Sequence, residues 1–356
     1  MKDETGPERP RQDPTIYDVA EAAGVAPSTV SRAFSRPGRV NSVTAERIRQ
    51  VAVELGYRTN PLAMALPTGH TSMIALVVSD ITNPFYFEII RGAHAAAAAA
   101  GYTMLLADAQ ESDRLEREAL DRAIPTVEGI VLASSRMSDS GITMIAKQRP
   151  MIVLNRSVTD VPSVVTDIPG GMRQAAEHLG SLGHDSITYV AGPESSWADG
   201  RRWQSLREAS LELDLRVRRI GPFPPTAKGG GLAAEELGRA PTTAVIAYND
   251  LLAIGVIRGL AAMGIRVPAD VSVLGFDNIF AAELVTPGLT TVAAPLRRIG
   301  VTAIRHLLAI IGGAESHSGK PVVVPTRLVL RESTGQRNRN RTSPAFGTTK
   351  VSGSDS

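Results

Sequence analysis

From Met73 onward the sequence repeats one unit: a short, almost continuous apolar run, then a longer amphipathic stretch. The runs include MIALVVSD, YTMLLAD, GIVLAS, MIVLNR, ITYVAG, AVIAYND and VSVLGFD. Helical periodicity lies between most of them, over 85–100, 114–123, 172–182, 201–213, 251–263 and 296–311. A strand apolar along its whole length is covered on both faces, and a strand followed by a helix pairs in parallel. The pattern therefore predicts doubly wound parallel sheets. Seven such units with a break near Pro169–Gly171 predict two lobes rather than one. The 43% hydrophobic content of 356 residues is enough for two or three cores.

Other features exclude classes. Cysteine is absent, so there is no disulfide framework, thiolate metal site or cysteine nucleophile. The first residues, MKDETGPERPRQDP, hold no apolar core of signal-peptide length, and no apolar run is long enough for a membrane span. A soluble cytoplasmic protein is expected, without a membrane partner. The six histidines are scattered, no HExxH or G-x-S-x-G occurs, and KGGG (Lys228–Gly231) lacks a Walker context and reads as a loop. Neither an enzyme nor a metal or other cofactor is expected.

The segment before Met73 has a different texture. Thr15 can cap a helix with Asp18 as its capping-box partner, and Ile16, Val19, Ala20 and Ala23 share one face. Gly24 stands where a turn needs positive φ, and Pro27 opens a second helix. Val30, Ala33 and Phe34 return to the core, while Ser28, Ser31 and Arg32 face outward. Asn41 caps a third helix whose buried stripe is Ile48, Val51, Ala52 and Leu55. The spacing is that of a helix-turn-helix, whose second helix meets the major groove of DNA. Overall charge is only +2, but residues 27–60 carry six arginines against two glutamates, a local +4. Between Pro61 and Pro67 five residues remain, too few for a helix that is stable alone.

The segments TIYDVAEAAGVAPSTVSRAF, ELGYRTNPLAMAL, NPFYFEIIRGA, EHLGSLGH, AYNDLLAIG and VPADVSVLGFDN, in this order, resemble the LacI/GalR family of bacterial transcription regulators from Thr15 to about Ser333. The resemblance implies an α/β architecture: an all-α helix-turn-helix headpiece over 15–60, a hinge helix and linker over 61–72, and a periplasmic-binding-protein-like effector domain over 73–333. Its first lobe would take 73–168 and 294–323, its second 169–293 and 324–333, with disordered ends at 1–14 and 334–356. It implies a homodimer on a pseudo-palindromic double-stranded DNA operator, most simply as a repressor.

Carried over by position, Tyr17, Ser31, Asn41 and Tyr57 resemble phosphate contacts, Ser28 and Arg32 base readers, and Leu66 the leucine that wedges into the minor groove. Pro27 and Asn60 complete the expected DNA set. The chain departs from the pattern at Pro27, which offers only apolar contact, and at Met64 and Pro67, where relatives often carry basic residues.

Ligands of open α/β sheets sit beyond the carboxyl ends of strands. There this chain offers Asp80, Asn83, Arg202, Asn249 and Asp277 as polar partners, with Phe85 and Phe223 as aromatic platforms. By resemblance, Arg202, Asn249 and Asp277 match effector contacts, Phe223 a cleft aromatic, and Phe85 with Tyr86 the first-lobe side. A sugar or sugar derivative fits this composition best, a nucleobase or nucleoside next, a phosphoprotein co-regulator last. A sugar-binding receptor or sugar-acting enzyme is the rival of another class. It lacks support, because the chain shows a headpiece and no export signal or phosphate cradle.

Overall fold

The computed structural model describes residues 13–35, 37–57, 70–314 and 320–338. The chain divides into two compact units, Met1–Ser72 and Met73–Ser356.

In the first unit α1 (Ile16–Ala22), α2 (Pro27–Ser35) and α3 (Ser42–Leu55) pack on one another. The Asp18 carboxylate accepts the Thr15 backbone N–H at 2.6 Å and its hydroxyl at 2.7 Å. These bonds hold the Asp18 carboxyl below its usual range. Gly24 makes the turn with φ +64°, and Asn41 caps α3 by accepting the Val43 N–H at 2.9 Å. Val19, Ala20, Val30, Ala33, Ile48 and Ala52 form the core. Leu55, at the end of the predicted stripe, is 41% exposed, because α3 outruns the two helices it packs on.

The second unit holds two six-stranded sheets. The first runs β11-β5-β4-β3-β1-β2 and is parallel throughout. Its strands are β1 (Met73–Val78), β2 (Thr103–Asp108), β3 (Gly129–Ala133), β4 (Met151–Leu154), β5 (Ser163–Thr166) and β11 (Val322–Val324). The second runs β12-β10-β9-β8-β6-β7, from β6 (Ser186–Val190), β7 (Arg216–Ile220), β8 (Ala244–Ala247), β9 (Ser272–Asp277), β10 (Thr290–Ala293) and β12 (Arg327–Val329). Only β12 is antiparallel there. The chain crosses between sheets after β5, β10 and β11.

Each sheet is covered by helices: α4 (Phe85–Ala99), α5 (Asp113–Ala123), α6 (Asp139–Ala146) and α12 (Leu296–Ile311) on the first. α7 (Ile168–Ser181), α8 (Trp197–Glu212), α9 (Ala227–Arg239) and α10 (Asp250–Ala262) cover the second, and α11 (Ala281–Leu284) is a single turn. None is long and apolar enough to cross a membrane.

Two expectations are corrected. KGGG is not a loop but the first turn of α9, capped by Thr226. Its glycines let α9 lie against α10: a Cβ on Gly230 would stand 2.2 Å from the Leu252 carbonyl oxygen. The chain also stays ordered past 334. The Gly335 N–H bonds to Ser272 Oγ at 3.1 Å, and Arg337 pairs with Asp185 at 2.7 Å. The cause is local: the buried His184 and Ser272 need polar partners, and the Gly335 carbonyl supplies both.

Candidate functional site

The headpiece presents Ser28 and Arg32 on the exposed side of α2, where an Arg32 Nη2–H donates to Ser28 Oγ at 3.2 Å. Tyr17 is exposed, Pro27 opens α2 half-buried, and Ser31 is half-buried with its carbonyl accepting from Ser35 Oγ. Asn41 spends its side-chain oxygen on the cap and keeps its amide N–H groups for other partners. The Tyr57 ring packs on Phe34, centroids 6.1 Å apart. Asn60 and Leu66 lie outside the described residues.

Both sheets share the strand order in which the chain reverses beside its first strand, between β1 and β3 and between β6 and β8. At such a switch point neighbouring connections leave in opposite directions and open a crevice. A cavity with about 440 Å³ of unfilled space, counted out to its mouth, is lined by residues at or beyond the carboxyl ends of strands from both sheets.

From the first lobe come Asn83, Phe85 and Tyr86 after β1, Glu111 after β2, Ser134 and Arg136 after β3, and Asn155 after β4. Asn83 accepts the Phe85 N–H at 3.0 Å and so starts α4. The Phe85 and Tyr86 rings meet edge to face, and Tyr86 shares a 2.6 Å hydrogen bond with Ser79. Burial raises the Tyr86 phenol well above its usual value, so it stays a neutral donor and acceptor.

From the second lobe come Ala198 and Arg202 on α8, Tyr248 and Asn249 after β8, and Asp277 at the end of β9. The Arg202 guanidinium lies 3.7 Å from the centroid of the Phe276 ring, donates to the Tyr248 carbonyl, and pairs with Asp277 at 3.0 Å. Asp277 has φ 117°, a backbone conformation that costs an L residue about 1–3 kcal/mol. It ends β9 with its carboxylate on Arg202. Burial raises the Asp277 carboxyl to about 6, against the pull of Arg202. Behind it Asp250 is raised to about 8, by burial first and then by Asp277. Asp250 accepts from Thr291 Oγ1 at 2.6 Å and the Ile279 N–H at 2.8 Å. Asn249 caps α10 through the Leu252 N–H and donates to the Pro225 carbonyl at 3.2 Å. α8 is held by Asp199, which accepts from Tyr189 Oη at 2.9 Å, the Gly192 N–H at 2.7 Å and Arg219 at 2.8 Å.

Of the eight expected effector residues, six line the cavity and two do not. Asn83, Phe85, Tyr86, Arg202, Asn249 and Asp277 line it together. Asp80 does not: its carboxylate closes a turn on the Thr82 N–H and hydroxyl at 2.8 and 2.6 Å. Phe223 does not line it either. Its N–H is tied to the Ala191 carbonyl and its ring packs beside Gly221, so that of the two expected aromatic platforms Phe85 lines the cavity. Sequence reading missed Glu111, Ser134, Arg136 and Tyr248 as lining residues. The signal available was their position, within three residues of a strand's carboxyl end.

Comparison with known proteins follows the same division. The pattern of "Bacterial regulatory proteins, lacI family" matches residues 15–60, and that of the "Periplasmic binding protein-like domain" matches 176–334. The HTH-type transcriptional regulator DegA of Bacillus subtilis is 35% identical over 340 residues, covering 91% of this chain and 99% of DegA. A structure of the lac repressor dimer bound to operator and the anti-inducer ONPF superposes with a TM-score of 0.83 at 25% identity, over 91% of this chain and all of that one. A complex of the transcriptional regulator CelR with cellobiose gives 0.67 at 32% identity, over 90% and 99%. The chain belongs to the lacI family of bacterial regulatory proteins and, with its helix-turn-helix headpiece, is a DNA-binding regulator of transcription.

Proposed function

We propose that the chain is a repressor whose hold on its operator is set by a sugar bound between the two lobes. The observation that carries this reading is the cavity at the facing switch points, walled by Arg202–Asp277 on one side and by Asn83, Asn155 and Glu111–Arg136 on the other. Amides and planar ionic forks pair with hydroxyls, which both donate and accept. The CelR structure that this chain resembles holds cellobiose in its complex, which supports a carbohydrate here.

The protein acts as a homodimer on a pseudo-palindromic operator, as the lac repressor structure is a dimer on its operator. Phe280 and Leu284, 60% and 74% exposed, beside Phe87, which stacks on Phe280 at 6.3 Å, give an apolar face of the kind that a second copy buries. Arg32 and Ser28 read bases; Tyr17, Ser31, Asn41, Tyr57 and Asn60 hold phosphates; Pro27 makes apolar contact and Leu66 enters the minor groove. Ligand changes lobe closure about the three crossing segments. It acts only through its different affinity for the open and closed arrangements, and about 1–3 kcal/mol suffices to switch occupancy.

The test is a mobility shift on an operator selected from random duplex DNA, with and without cellobiose, ribose and glucose. Selective binding altered by one of these sugars is expected. A chain that selects no sequence, or whose binding no sugar alters, overturns the reading. Arg32→Ala should lower specific binding more than nonspecific binding; equal losses would remove Arg32 from base reading.

A further inference from the structure

Each lobe brings one arginine–carboxylate pair to the cavity. The second lobe's pair was legible by resemblance; the first lobe's was not. Arg136 donates through Nε to Glu111 Oε2 at 2.6 Å, with Nη2 also within 2.6 Å of that oxygen. The Arg136 side chain is 5% exposed and that of Glu111 25%.

The pair is set in place by the lobe itself. The Arg136 backbone N–H donates at 2.9 Å to Glu116 Oε2, a carboxylate that is almost fully buried. The Glu111 N–H donates to the Ser79 carbonyl at 2.5 Å. Ser134 and Glu111 both hold left-handed backbone, φ 56° and 57°. The connection after β2 is thus pinned to the end of β1, where the sheet reverses, and the connection after β3 is pinned to Glu116 on α5. A buried ion pair does not by itself stabilise a lobe more than apolar side chains of similar size would. Its place on the cavity wall therefore calls for a ligand. Among the described residues none hydrogen-bonds to Glu111 Oε1 or to Arg136 Nη1, which leaves the first as an acceptor and the second as a donor. A vicinal diol matches that couple: one hydroxyl donates to the carboxylate and its neighbour accepts from the guanidinium. With Arg202 and Asp277 opposite, the two cations on the walls are each already faced by a carboxylate, which leaves none to spare for an anionic ligand.

We propose that Glu111 and Arg136 form the first lobe's ligand-binding couple, and that they select a neutral sugar through a vicinal diol, against sugar acids and sugar phosphates. This rests on the sugar reading above.

The test is calorimetric titration of the full chain with cellobiose, D-ribose, D-glucose, 2-deoxy-D-glucose, D-glucuronate and glucose 6-phosphate. The wild type should bind at least one neutral sugar and prefer it to the charged analogues. Glu111→Gln, which keeps the shape of the side chain, and Arg136→Ala should each weaken that sugar by about tenfold or more, the worth of a hydrogen bond to a charged group. Arg136→Lys keeps the charge without the fork and should recover only part. If glucose binds, the wild type should reject its 2-deoxy analogue and Glu111→Gln should not, a change that a merely structural role would leave unmoved. Variants that bind the sugar as the wild type does, or a wild type that prefers glucuronate or glucose 6-phosphate, overturn the proposal alone. A wild type that binds none of the sugars overturns the sugar reading and the proposal with it.

Discussion

In the second-lobe wall, Arg202 and Asp277 are each 7% exposed, and the guanidinium is sealed against Phe276. In the first-lobe wall Arg136 is buried as deeply, but a quarter of the Glu111 side chain reaches solvent. The same two charge types therefore sit in two dielectric settings. A dry pair depends on its partner, because either charge left alone in the interior is costly; a pair with one wet member can rehydrate when it is broken. The second wall is part of the lobe's core as much as of the site. The first wall is free to serve the ligand.

The sharpest way to break this contrast is to remove each arginine in turn. Arg202→Ala strands Asp277 and should cost about 3–5 kcal/mol of stability in urea unfolding, along with any ligand response. Arg136→Ala leaves Glu111 able to rehydrate and should cost about 1 kcal/mol. Equal losses would show that the two walls are equally dry.

Next in size are the helix contacts behind the walls, which the lobes build alike. Gly300 on α12 meets α4 where a Cβ would stand 2.1 Å from the Ile89 carbonyl oxygen, and Gly255 on α10 meets α9 at 2.1 Å from that of Ala227. Gly300→Ala and Gly255→Ala should each cost about 1–3 kcal/mol by overpacking. Gly231→Ala, one residue along α9 from the contact and open on its outer side, should instead gain up to about 1 kcal/mol from helix propensity. Thermal unfolding of the three variants checks this. A loss at Gly231 would mean that its side of α9 is not open.

The glycines also show where sequence reading stopped. KGGG looked like a loop because propensity counts glycine against a helix; the close approach to α10 that favours it is a tertiary fact. The parallel units were legible because strands such as β1, β3 and β8 are apolar along their length. β7, RVRRI, lies at a sheet edge and carries three arginines, and the three-residue β11 and β12 are too short to carry a pattern. In the cavity, Arg202, Asn249 and Asp277 were found through motifs. Glu111 and Arg136 carry no such motif and stand three residues beyond their strands, where left-handed residues at Gln110, Glu111 and Ser134 turn the chain so that these later positions face inward. Asp80 shows the converse: it follows β1 closely, yet its Oδ1 turns to the Thr82 N–H and hydroxyl and it does not line the cavity.

The most gradual effect is a slope with pH, and it tests the dryness of the second wall directly. A buried carboxyl whose pKa is raised on folding keeps its proton where the unfolded chain has lost it, so stability falls as pH rises through that interval. For Asp277 the interval runs from 3.8 to about 6, and for Asp250 it extends to about 8. Burial lowers His178 and His184 below 6.5, which makes stability fall as pH drops below that value. Below pH 6.5 the histidines and acids therefore oppose one another. Between 6.5 and 8 Asp250 acts alone among these groups, and stability should decline by up to about 1.4 kcal/mol per pH unit. Asp250→Asn gives up an acceptor for Thr291 or Ile279 and is less stable overall, but its urea-unfolding curve should be flat across that window. A wild type as flat as the variant would mean that Asp250 is ionised behind Asp277, and that water reaches the wall taken here to be the dry one.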